Sequence, residues 1–316
     1  MSVSRILCPV DFSEASRGAL RYGAVLARHF AGTLDVMTAL EPLLAEAAAM
    51  ESSAAGVKDA ALTALRAFVS DAVSISTLAS IEYHVTAGQA EGEILRASRE
   101  RQADLIVISS HGLTGFRKMF FGSTTERVLR ETGVPVLIVP GDDRGPVGAA
   151  DATARVGRIL VPVLPAAAGW QVQVASAIAR TLPAPAIFLH VVEPLRATVL
   201  PHSDRYVAKV ERERRARAER DLEDLVRGTG LPRMESLIAY GEPSEEIVKI
   251  SRDRRAGLIV MGLQGSELAG PRIGSVTYRV LTASGSLVLA LPPARAGNSP
   301  QRAKKTAARK RGRKRR

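Results

Sequence analysis

The chain repeats itself, and the repeat limits what it can fold into. Arg5-Ile6-Leu7-Cys8-Pro9-Val10-Asp11 returns as Arg158-Ile159-Leu160-Val161-Pro162-Val163-Leu164, an offset of 153 residues. Further landmarks keep their order and spacing. Glu41-Pro42 returns as Glu193-Pro194, Gly88 as Gly241, and Leu105-Ile106-Val107 as Leu258-Ile259-Val260. Gly122-Ser123 returns as Gly274-Ser275, and Leu291-Pro292 answers Val139-Pro140. Each copy is far too long for a solenoid repeat and has the size of a domain. The 316 residues therefore divide into two similar units.

Within the first copy, strand signals fall at 4–10, 33–40, 79–86, 104–110 and 134–140, with helical stretches at 13–30, within 44–74, at 89–102 and at 123–132. Strands recur near 157–163, 185–192, 233–240, 257–263 and 286–292. Strict alternation of β and α implies α/β units, each a doubly wound parallel five-stranded sheet with helices on both faces. Aromatic residues are only 4% of the chain. The cores must then be built from Ala, Val, Leu and Ile, as parallel sheets usually are. The expected organisation is a first domain over 1–141, a linker over 142–156, a second domain over 157–293 and a basic tail over 294–316. The final strands, Val134–Pro140 and Leu287–Pro292, read as sheet edges. Exposed apolar edges invite association, so internal pairing of the two copies or a homodimer is expected.

Composition narrows the function classes. Cys8 is the only cysteine, which excludes an intrachain disulfide and a cysteine-based metal site. No apolar run approaches the length of a membrane span. The first residues enter a strand without a signal-peptide layout, so a cytoplasmic protein with no membrane partner is expected. Eleven Lys or Arg and no acid lie in residues 295–316; subtracting them from the formal +12 leaves +1 for the rest. The folded part is near neutral and the basicity is a tail. Such a tail cannot bury a core, and it suits non-specific contact with nucleic acid or another polyanion through counterion release. The charged run Glu211–Arg220 reads instead as a solvated helix face.

The stretch Ser109 to Thr124 carries the chemistry. It joins the apolar run Leu105-Ile106-Val107-Ile108 to a helix, and Ser123 with Glu126 forms an S-x-x-E capping-box pattern. A glycine-rich loop entering a helix N-terminus offers backbone N–H groups and a favourable dipole to phosphate. Gly112 and Gly122 enclose nine residues, and Ser123-Thr124 follows. This is neither a P-loop, because no Gly-Lys-[ST] follows, nor a G-x-G-x-x-G fingerprint.

Five features together resemble the universal stress protein family, in its tandem form, over residues 3–293: the R-I-L-x-P-V-D opening, the strand ending in Glu-Pro, the segment at Gly88 or Gly241, the D-L-I-V strand, and the glycine loop before V-P-V-L-I-V. The resemblance implies an ATP-binding stress-response regulator, with Mg²⁺ accompanying the nucleotide. It implies ribose near Asp11, adenine near Ala39, and phosphates over the loop at Ser109, Gly112, Gly122, Ser123 and Thr124. Ser109 stands where the family pattern has glycine. In the second copy Leu164 replaces Asp11, and eight residues rather than nine separate Gly265 from Gly274. The first copy is thus the expected nucleotide site and the second a degenerate one. No catalytic residue and no protein metal ligand is assigned, and an enzyme is not expected. His111 reads as a polar loop residue, and His190 and Cys8, the latter in its apolar strand, read as structural. The alternative is a nucleotide-free tandem scaffold acting through protein or nucleic-acid contacts.

Overall fold

A computed structural model describes residues 3–43, 54–74, 80–111, 122–182, 184–195, 204–263 and 274–293. Gly112, Arg117, Lys118, the loop glycine Gly265 and the basic tail lie outside the described residues.

The first unit runs β1 (Arg5–Pro9), α1 (Glu14–Phe30), β2 (Thr33–Leu40), α2 (Ala54–Ala72), β3 (Ser80–Ala87), α3 (Ala90–Glu100), β4 (Leu105–Ser109), α4 (Ser123–Glu131) and β5 (Val136–Val139). A connecting helix, α5 (Ala149–Val156), leads into the second unit. That unit runs β6 (Ile159–Pro162), α6 (Gly169–Thr181), β7 (Ala186–Val192), α7 (Asp204–Arg227), β8 (Met234–Tyr240), α8 (Pro243–Asp253), β9 (Leu258–Gly262), α9 (Ser275–Ala283) and β10 (Leu287–Leu291).

The strand order explains how the copies meet. It is β3-β2-β1-β4-β5-β10-β9-β6-β7-β8, one sheet of ten strands. Every pair is parallel except β5 with β10, which is antiparallel and matches Ile138 to Val288, Leu137 to Leu289 and Val136 to Ala290. The two five-stranded sheets of the sequence reading are joined edge to edge, so the apolar edges cover each other. All residues of β4, β5 and β10 are buried, which accounts for their being apolar at every position but Ser109. One core lies between the sheet and α1, α2, α5, α6 and α7, the other between the sheet and α3, α4, α8 and α9.

The expected linker is only partly irregular. Residues 149–156 of it form α5, and tertiary contacts anchor the turn before it. The Tyr22 hydroxyl donates to Asp143 at 2.8 Å, and Arg155 reaches the same carboxylate at 2.8 Å. Arg21 donates to the Arg144 carbonyl at 2.8 Å. At Gly18 a Cβ would fall 2.0 Å from the Asp143 carbonyl oxygen, so only glycine lets the turn lie this close to α1. Among the described residues no helix is long and apolar enough to cross a membrane.

Candidate functional site

In each unit the strand order reverses beside the first strand, between β1 and β4 and between β6 and β9. In open α/β sheets ligands lie outside the strand carboxyl ends at such a switch point. The β1–β4 ladder holds only two residue pairs, Ile6 with Leu105 and Leu7 with Ile106, so the strands part toward their carboxyl ends.

The described site residues gather at that end. Asp11 follows β1; Ala39, half-buried, is the penultimate residue of β2; Ser109 closes β4; Gly122, Ser123 and Thr124 open α4. Asp11 also organises the turn into α1. Its carboxylate accepts the Ser13 N–H at 3.1 Å and the Ser13 hydroxyl at 2.5 Å, while the Ser13 hydroxyl oxygen accepts the Ser16 N–H at 3.1 Å and caps the helix. A carboxylate can accept several hydrogen bonds.

Ser109 serves the loop's own backbone. It is 6% exposed, and its hydroxyl donates to the His111 carbonyl at 2.7 Å. Its own carbonyl accepts the Thr125 hydroxyl at 2.9 Å, which ties the end of β4 to the first turn of α4. Thr277 repeats that tie on the Gly262 carbonyl, at 3.0 Å. The Ser110 hydroxyl and His111 Nδ1 are 2.8 Å apart, and Gly141 leaves room for the ring.

The capping box is corrected by the structure. α4 begins at Ser123 as expected, but Gly122 is the N-cap, in extended conformation, and no side chain among the described residues caps the helix. The Gly122 N–H donates to the Ser110 carbonyl at 2.9 Å, and its carbonyl accepts the Glu126 N–H at 2.9 Å. Ser123 therefore lies inside the first turn, and Glu126 pairs with Arg130 instead of turning back. A first turn without a side-chain cap has N–H groups that an anion can take.

One neighbour of the site is invisible in the sequence. Phe12, between Asp11 and Ser13, has φ of 64°, a left-handed conformation that costs a bulky residue energy and clusters at functional sites. Its ring packs edge-on against Phe68 at 5.5 Å, and Arg17 lies over the other ring at 4.5 Å.

The second switch point is filled by its own chain. Gln171 on α6 donates to the Pro162 carbonyl at 2.5 Å and the Val260 carbonyl at 2.8 Å, bridging β6 and β9 where they part. Leu164, at the Asp11 position, is 63% exposed and offers no hydrogen bond. His190 is structural: its Nδ1 lies 3.0 Å from the Val163 carbonyl.

A set of metal-type ligands lies elsewhere. Donor atoms of Asp35, Glu82 and His84 fall within 4.8 Å of one another. Arginines already supply the positive charge there. Arg5 reaches Asp35 at 3.0 Å and Glu82 at 3.3 Å, and Arg101 reaches Glu82 at 3.3 Å. Burial alone would raise the Asp35 pKa; the His84 hydrogen bond and the Arg5 charge outweigh it and hold the carboxyl below its ordinary value. This is an ion-pair cluster around one buried carboxylate, that of Asp35. Cys8 is fully buried, and desolvation pushes its thiol up to about 12, which makes it inert at neutral pH.

Similarity to known proteins agrees with this fold. The universal stress protein family matches residues 2–140 and again 156–292. The chain belongs to that family, as a tandem of two of its domains. A universal stress protein of Synechocystis is 39% identical over 57 residues, 18% of this chain and 20% of that protein. One from Methanocaldococcus jannaschii is 33% identical over 55 residues, 17% of this chain and 34% of that protein. These alignments thus span 20% and 34% of the relatives they match. Among solved structures, a protein of unknown function from Pseudomonas aeruginosa aligns over 92% of this chain and 93% of its own, with TM-score 0.64 and 16% identity. A universal stress protein of Archaeoglobus fulgidus aligns over 93% and 100%, with TM-score 0.62 and 20% identity. At these identities the likeness establishes the fold alone.

Proposed function

We propose that the first unit binds an adenine nucleotide, ATP accompanied by Mg²⁺, and that the protein acts as a stress-response regulator through that binding. The observation that carries the reading is topological: Asp11 follows β1, and an α4 first turn with no side-chain cap among the described residues follows β4, the two strands on either side of the switch point. Asp11 suits ribose hydroxyls. Ala39 offers a small apolar surface to adenine. The N–H groups and hydroxyls of Ser123 and Thr124 suit phosphate oxygens. Ser109 holds the loop to β4, and Gly112 completes the loop pattern. The phosphates bring Mg²⁺ with them, since this ion favours phosphate and water ligands over an all-protein cage. The reading assigns binding rather than turnover and names no catalytic residue. The second unit, plugged by Gln171 and lacking the carboxylate, pairs with the first and binds nucleotide weakly.

A second reading rests on eleven cations in residues 295–316: a nucleotide-free scaffold holding polyanions through its tail in the cytoplasm. One preparation separates the two. Protein purified without added ligand is denatured, and the released small molecules are identified by mass spectrometry. An adenine nucleotide at up to one per chain is expected. Release of none, with nucleic acid that co-purifies and is shed by salt, would favour the scaffold.

A further inference from the structure

A cavity of about 170 Å³ lies beneath the seam of the two units, on the sheet face covered by α1, α5 and α6, and none of Asp11, Ala39, Ser109, Gly122, Ser123 and Thr124 lines it. Its floor includes Leu137 and Leu289, which face each other across the antiparallel β5–β10 pair. Leu26 on α1 and Ile178 on α6 flank it from the two units, and Ala152 on α5 closes one side. The cause lies in the topology. α1 packs chiefly on β1 and β4, and α6 on β6 and β9, so each helix is centred over its own switch point and the seam between them is incompletely covered.

The polar groups along the wall are already engaged. The Tyr22 hydroxyl is held by Asp143, and the Asp104 carboxylate accepts the N–H groups of Ser4 and Arg5 at 2.7 and 3.1 Å. Exposed His29 and Thr181 lie where the cavity borders solvent. Water needs two to four polar partners; an engineered apolar cavity of about 150 Å³ stays dry and takes up benzene. An apolar guest restores the dispersion contacts that the wall atoms lack.

We propose that this cavity is a binding site for a small, uncharged, mainly apolar molecule, the size of a single substituted aromatic ring. Because both units line it, such a ligand binds the joined pair and strengthens the joint. At a hundred times its dissociation constant it multiplies the folded-to-unfolded ratio about a hundredfold.

The test uses the full chain with toluene and benzoate as probes. Toluene is expected to bind saturably, to raise the thermal midpoint with concentration, and to show nuclear Overhauser contacts to the Leu137 and Leu289 methyl groups. Benzoate, the same ring carrying a charge, is expected to bind at least tenfold more weakly. Ala177→Phe and Ala152→Leu fill the cavity from opposite walls. Either variant, once shown to be folded, should weaken toluene at least tenfold while its own midpoint holds or rises. Toluene binding unchanged in a folded variant, benzoate binding as well as toluene, or no contact with the two leucine methyls would each overturn the proposal. Should neither variant fold, the methyl contacts in the unmodified chain decide the matter.

Discussion

Replacing Ile138 by aspartate is expected to break the ten-stranded sheet at its middle. Ile138 is 2% exposed and faces Val288, 1% exposed, across the antiparallel pair. The substitution forfeits about 1.5–3 kcal/mol of apolar burial. It also places a carboxylate among Val136, Val288 and Ala290, all apolar and buried. Together these should cost at least about 4 kcal/mol, the range reserved for unpaired buried charges. Urea unfolding measures it. Val147→Asp is the control, since Val147 is 96% exposed and its replacement should change stability by less than about 0.5 kcal/mol. The freed edges of β5 and β10 should also make the Ile138 variant associate as its concentration rises. A loss below about 1 kcal/mol would show that the seam contributes little.

Asp35→Asn should produce the second large effect. The carboxylate is fully buried, 3.0 Å from Arg5 and 2.9 Å from His84 Nε2. Removing one partner of a buried pair costs about 3–5 kcal/mol; the low end applies here, since Arg5 is partly exposed and keeps Glu82. The sign of the pH dependence follows from the depressed Asp35 pKa. Its contribution is complete above the unfolded value near 3.9 and is lost as pH falls through the lower folded value. Unfolding curves of parent and variant should therefore lie farthest apart near neutral pH and converge in acid. A pH-independent gap would mean that packing, rather than charge, dominates at this position.

Much of the architecture was legible because a parallel strand buried on both faces must be apolar throughout. Leu105–Ile108 and Leu258–Met261 announce themselves in this way, and the duplication confirms each with the other. The pairing of β5 with β10 was foreseeable as one of two outcomes for an apolar edge. What stayed hidden depends on contacts distant in sequence. α5 follows directly on Gly145, Pro146 and Gly148, which read as linker; the turn before it is held by Tyr22, 121 residues from Asp143. Gln171 meets one of its carbonyl partners 89 residues away, so no local pattern marks it as a plug. Phe12 looks like any turn residue until its backbone is seen. The capping box at Ser123 misled because Gly122 is drawn to the Ser110 carbonyl, twelve residues back, and takes the cap position. The site residues Asp11, Ala39 and Ser123 came from the family pattern, and their positions at the strand carboxyl ends follow from the alternation of β and α.

The assignment of nucleotide to the first unit is tested most directly by titration calorimetry of ATP with Mg²⁺ into the full chain, Gly122→Glu and Gly274→Glu, each first shown to be folded by circular dichroism. A Cβ at Gly122 would lie 3.2 Å from the Ser110 carbonyl oxygen, a contact that a shift of a few tenths of an ångström relieves. A carboxylate at a helix N-terminus is acceptable to the dipole, so the helix should persist while phosphate is repelled. Saturable binding by the unmodified chain is predicted, weakened at least tenfold, or about 1.4 kcal/mol, in Gly122→Glu and changed by less than about twofold in Gly274→Glu. Loss confined to Gly274→Glu, equal loss in both variants, or no binding by the unmodified chain would contradict the assignment.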